Sequence, residues 1–96
     1  MSFNGLRLEL SLEGNSNYIA WKDMMEAVLE DNGLKEFIDT DIPKPTTADA
    51  QLLDAWQKKV AKARRFLLEG VRDHIVLSLH GKVNPYAMWK VLTYLC

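Results

Sequence analysis

The sequence holds 96 residues, enough for one domain around a single small core and too few for two. Hydrophobic residues make up 48% of it and charged residues 26%, which excludes a disordered tail, and a single cysteine excludes a disulfide scaffold. A formal net charge of -1 excludes a global field steering the domain toward nucleic acid or an anionic membrane, so partners have to be sought in local patches.

Taken in order, Met1 to Gly5 carries neither a basic nor an apolar leader, and no apolar run approaches the roughly 20 residues needed to span a bilayer. With Cys96 as the only cysteine, the expected setting is a reducing, cytoplasmic one. Leu6, Leu8, Leu10 and Leu12 alternate with Arg7, Glu9, Ser11 and Glu13, the period of a half-buried extended segment. Residues 1–13 therefore read as an extended arm or short β-hairpin filling one side of the core, or else as an edge that pairs with another copy.

From residue 14 to residue 96 the pattern is helical. Gly14 permits a sharp turn, and Ser16 or Asn17 can cap a helix by accepting from its first free N–H groups. Tyr18, Trp21, Met25, Val28 and Leu29 give that helix an apolar face, with Lys22, Asp23, Glu26 and Glu30 on the other side. Asn32-Gly33 ends it, and Leu34, Phe37 and Ile38 form one further apolar turn. Pro43-Lys44-Pro45-Thr46-Thr47 breaks the helical pattern and reads as a surface loop.

Thr46 or Thr47 is then the expected cap of the longest helix, with Asp49 in its acidic first turn. Leu52, Leu53, Trp56, Val60, Ala63 and Leu67 follow at helical spacing and are expected to face the core. Gly70 is placed to kink or interrupt the helix, after which Val71, Ile75 and Leu79 continue the pattern to a stop at His80-Gly81. Asn84 caps a last helix with Pro85 at its first position, and Met88 or Trp89, Leu92 and Leu95 are its expected buried face. That helical pattern runs to the end of the sequence, as in a short protein closed by its last helix or a piece cut from a longer one. The expected fold is mainly α: one domain over residues 1–96, a compact bundle of four or five helices with an extended arm.

Lys58, Lys59, Lys62, Arg64 and Arg65 form the only basic cluster. A basic helix can contact phosphates. Here, however, one face of the helix is committed to the core and Asp49, Asp54 and Glu69 flank the cluster, so it reads as a solvated face able to meet an acidic surface. No direct binding to nucleic acid, and none to a membrane, is expected. Glu26, Glu30, Asp31, Glu36, Asp39 and Asp41 form an acidic series that either keeps the domain soluble or mates with the basic face of another copy, a contact between unlike patches.

His74 and His80 lack the further donors that a zinc site needs, and Asp73, adjacent to His74, points in a different direction on a helix. There is no glycine-rich phosphate loop, nucleophile elbow or pair of carboxylates on one apolar face. No enzyme activity, catalytic residue, cofactor or metal is expected. Trp21, Trp56 and Trp89 fall one on each principal helix and, with Tyr18, read as packing residues of the core rather than the lining of a ligand pocket.

The series Leu12, Gly14, Asn17, Tyr18, Trp21, Met25 and Leu29 resembles the opening motif of Ty1/copia-type retrotransposon Gag polyproteins. Trp56, Ala63 and Leu67 look like the second tryptophan helix of that family, and Asn84-Pro85-Tyr86-Ala87-Met88-Trp89-Lys90-Val91-Leu92 looks like its closing helix. Two departures stand out: two residues separate Gly14 from Asn17 where the family commonly has one, and Asn84-Pro85 replaces a usual Thr-Ala pair. Both keep the capping chemistry. The resemblance implies a retroviral-type capsid N-terminal lobe without the second lobe or the RNA-binding zinc knuckle. It also implies a structural role in particle assembly, with other Gag subunits or a second copy as partner. The faces around Lys58, Lys62 and Arg65 and around Glu26 and Glu30 are the expected contacts. The alternative is a domesticated helical adaptor for an unrelated protein or, ranked below it, a nucleic-acid-binding domain that uses the basic helix.

Overall fold

The computed structural model describes residues 12–95, so Leu6, Leu8, Leu10 and Cys96 lie outside the described residues. Among the described residues there are five helices and no strand: α1 at Tyr18–Asp31, α2 at Glu36–Asp39, α3 at Ala50–Glu69, α4 at Asp73–Leu79 and α5 at Pro85–Leu95. A 3₁₀ turn at Asn15–Asn17 leads into α1. The expected helical bundle is therefore found. No hairpin is present among the described residues.

The helix ends follow local chemistry, with two corrections. Asn17 stands at the start of α1 without capping it through its side chain; its Oδ1 instead accepts the N–H of Glu13 at 3.0 Å and holds the incoming chain. Asp49, not Thr46 or Thr47, caps α3, accepting from the N–H groups of Gln51 at 2.9 Å and Leu52 at 3.4 Å. Thr47 serves one step earlier, accepting the N–H of Asp49 at 3.1 Å. At α5 the expected cap is in place, with Asn84 Oδ1 taking the N–H of Ala87 at 2.7 Å, and Pro85 is buried.

The end of α1 is a Schellman closure. Leu34 N–H donates to the Leu29 carbonyl at 2.7 Å and Gly33 N–H to that of Glu30 at 3.0 Å, which requires the positive φ of 69° at Gly33. The closure swings Leu34, Phe37 and Ile38 under the bundle, where all three are buried.

The core draws on all five helices, with Leu12, Trp21, Met25, Leu29, Phe37, Phe66, Leu67, Val71, Ile75, Leu79, Met88 and Leu92 among its buried members. Each fully buried side chain of this size is worth about 1.5–3 kcal/mol relative to exposure. The last helix, α5, is the hub, packing against α2, α3 and α4. On one side Trp21 stacks against Trp89 at 5.6 Å between ring centroids, and Tyr18 extends the stack with its ring 6.5 Å from Trp21.

Gly70 is where these parts meet. Its carbonyl accepts two hydrogen bonds, from Leu12 N–H at 2.9 Å and from the Trp21 indole at 2.7 Å. Arg72 N–H returns a bond to the Leu12 carbonyl at 3.0 Å, so Leu12 and Val71 pair as an isolated parallel bridge. The described end of the arm thus pairs within its own chain. Gly70 ends α3 at φ -86° and ψ 2°, Val71 forms the bridge and Arg72 is extended, so the helical pattern is interrupted there rather than bent. A Cβ on Gly70 would lie 2.5 Å from the Met25 terminal methyl and 3.1 Å from the Phe66 carbonyl oxygen, so close approach, not a special φ, requires glycine.

Candidate interaction surfaces

Helical spacing determines which charged side chains share a face. On α1, Trp21, Met25 and Leu29 are buried, which turns Asp23, Glu26 and Glu30 outward. Asp23 and Glu30 are exposed, and Glu26 is held at 3.2 Å by Lys22 one turn earlier. The hydrogen bond and then the charge of Glu26 push the Lys22 ammonium above its ordinary value. Farther on, Lys35 reaches Asp39 at 2.9 Å, and that hydrogen bond raises the Lys35 pKa as well.

On α3, burial is confined to Ala63, Phe66 and Leu67 in the C-terminal half. Leu52, expected in the core, is 55% exposed, while Leu53, Trp56 and Val60 are half-buried. The reason is length, since 20 residues of helix reach about 30 Å and outrun the elements beneath them. Trp56 packs at the margin, its indole N–H donating to the Ile42 carbonyl at 3.3 Å and tying down the proline-containing loop. Leu95 is a further correction, 46% exposed at the end of α5.

Lys58, Lys62 and Arg65 lie on the solvent side of α3, with the side chain of Lys58 78% exposed despite its 2.9 Å pair with Asp54. Lys62 and Arg65 have a second role. Their charged groups sit 5.8 Å and 5.7 Å from the centroid of the Phe66 ring, so their stems cover a core residue while their heads reach water. Arg65 is also 4.0 Å from Glu69. Arg64 leaves the cluster altogether: its guanidinium reaches the Lys82 carbonyl at 3.5 Å, and its Nε is buried without a partner.

The two patches are not brought together. Among the described residues every ion pair of Glu26, Lys58 and Arg65 is made within its own helix, and none joins α1 to α3. Asp23 shares the acidic face by its three-residue spacing to Glu26, a signal present in the sequence.

His74 and His80 are both exposed, with His74 Nε2 3.2 Å from the Glu13 carbonyl oxygen. Arg72 binds the Glu13 carboxylate at 2.9 Å, so both residues fasten the arm. A cleft of about 220 Å³ runs beside Arg64, Leu68, Leu77 and His80, and another of about 210 Å³ lies beside Glu13, His74 and Ser78. Both fall below the usual size of a small-molecule site. Among the described residues no group of three or more metal-ligating side chains occurs, and no helix is long and apolar enough to cross a membrane.

Comparison with protein-family models, curated proteins and solved structures finds no match.

Proposed function

We propose that the chain is a non-enzymatic interaction domain that works by self-association in the cytoplasm, as the N-terminal lobe of a Gag-like, particle-forming protein. The observation that carries this function is the pair of oppositely charged, outward helix faces, Glu26 and Glu30 on α1 against Lys58, Lys62 and Arg65 on α3, unpaired with one another within the chain. Unlike patches on one molecule are satisfied by a neighbouring copy, and this is the chemistry of head-to-tail assembly. The motif around Tyr18, Trp21 and Trp89 supports the same function through its resemblance to Gag.

Sedimentation of the purified chain from micromolar to millimolar concentration tests it. The expected outcome is a mass that rises with concentration and falls as salt is added. A chain that stays monomeric throughout would remove the assembly function from this domain.

One observation favours a second function, an adaptor for an unrelated protein. Leu77 is 77% exposed beside the larger cleft, an apolar side chain that the bundle does not use. Under the assembly function Leu77→Asp leaves self-association unchanged; its loss would move the contact to this cleft.

A further inference from the structure

We infer that the contact between copies is an antiparallel pairing of α1 from one copy with α3 from the next, in a single register: Asp23 with Arg65, Glu26 with Lys62, and Glu30 with Lys58. This inference rests on the self-association proposed above and names its surface and its geometry.

The register comes from the spacing. From Asp23 the acids step by three residues to Glu26 and by four to Glu30. From Arg65 the bases step back by three to Lys62 and by four to Lys58. Run antiparallel, the two series coincide at all three positions over about 10.5 Å, two turns of helix. Run parallel, the steps are three and four against four and three. The middle pair is then out of step by one residue, about 100° around the helix, and only two pairs can form.

Both series are available. Trp21, Met25 and Leu29 anchor the opposite side of α1, and Ala63 and Leu67 do the same for α3, while the stems of Lys62 and Arg65 lie over Phe66 and leave their charged heads at the surface. The pairs to be exchanged are Lys22 with Glu26, Asp54 with Lys58, and the 4.0 Å contact of Arg65 with Glu69. All are solvated pairs of neighbouring turns, whose loss costs little.

A second copy is the occupant because the charges of the two faces complement each other. Each copy carries one acidic and one basic series, so the contact is heterologous and leaves a free face of each kind at the ends of any pair. Copies therefore add head to tail.

Two neutralised variants test this. One is Lys58→Gln/Lys62→Gln/Arg65→Gln, which keeps the acidic face, and the other is Asp23→Asn/Glu26→Gln/Glu30→Gln, which keeps the basic one. Circular dichroism establishes that each remains helical. In about 50 mM salt, where exposed charges are weakly screened, the wild-type chain is expected to grow beyond a dimer with concentration. Each variant alone is expected to associate about tenfold more weakly or not at all. An equimolar mixture is expected to form a one-to-one dimer and nothing larger, because only one intact acidic face and one intact basic face meet.

Wild-type association that persists unchanged in both variants, or a mixture that stays monomeric, overturns the pairing while leaving self-association standing. A wild-type mass that saturates at the dimer overturns the head-to-tail arrangement. A wild-type chain that is monomeric at every concentration overturns this inference and the proposed function together.

Discussion

In the C-terminal half of α3, Ala63, Phe66 and Leu67 are buried and the helix ends against Gly70, whose carbonyl holds both Leu12 and Trp21. In the N-terminal half of the same helix Leu52 is exposed, Leu53 and Trp56 are half-buried, and the basic residues begin. One repeat of apolar positions runs through both halves. A repeat identifies the apolar face of a helix, but burial also requires an element opposite it. The molecule measures 45 × 28 × 19 Å, and α3, at about 30 Å, exceeds the 14 residues of α1 by about 9 Å. The first half of the long helix therefore overhangs the core, and the second half is scaffold on the face of Ala63 and Leu67 and surface on the face of Lys62 and Arg65.

Substitutions on the two sides of that divide should differ sharply. Trp21→Ala removes the stack with Trp89 and one of the two donors to Gly70, and is expected to cost about 3–5 kcal/mol in chemical denaturation. Next comes Gly70→Ala, whose added methyl crowds Met25 and the Phe66 carbonyl and should cost about 1–3 kcal/mol. Leu52→Ala, on the overhanging half, is expected to change stability by less than about 0.5 kcal/mol. A loss of about 2 kcal/mol there would mean that the overhang is packed and the divide is misplaced.

The smallest effect belongs to the exposed lysine pairs. Lys22 and Lys35 both titrate above the ordinary 10.5, through hydrogen bonds to Glu26 and Asp39. Their contribution is complete below that value and is lost as pH rises through the raised folded-state value. Denaturation midpoints followed into the alkaline range should therefore fall slightly less steeply in Lys22→Gln/Lys35→Gln than in the wild-type chain. An unchanged slope would mean that neither pair contributes.

Much of the fold was legible because its signals are local. Asn84-Pro85 starts α5 and Asn32-Gly33 stops α1, each through conformational preferences of the residues themselves. What escaped involved choices between neighbours or contacts across the chain. Thr46, Thr47 and Asp49 can all cap, and only the path of the loop decides for Asp49. Asn17 has the chemistry of a cap yet turns back to Glu13 because Arg72 and His74 hold that residue nearby. Leu52 and Leu95 sit on the right stripes beyond the reach of the core. The charged faces were legible in outline, since helical spacing assigns Glu26, Glu30, Lys58, Lys62 and Arg65 to the outside. The departure of Arg64 was not, because it depends on the Lys82 carbonyl from a distant loop.

The junction at Gly70 also bears on the order in which the molecule can be made. Chain synthesis delivers Leu12 and Trp21 long before the carbonyl that both of them need. Until residues 70–72 have emerged, Leu12 lacks its backbone bridge and Trp21 the acceptor for its indole, and until α5 has followed, Trp21 lacks the Trp89 ring. Short isolated helices are marginal in water. Leu12 and α1 therefore lack these contacts until residues 70–72 and α5 have been made, and the described domain comes together late and as a unit.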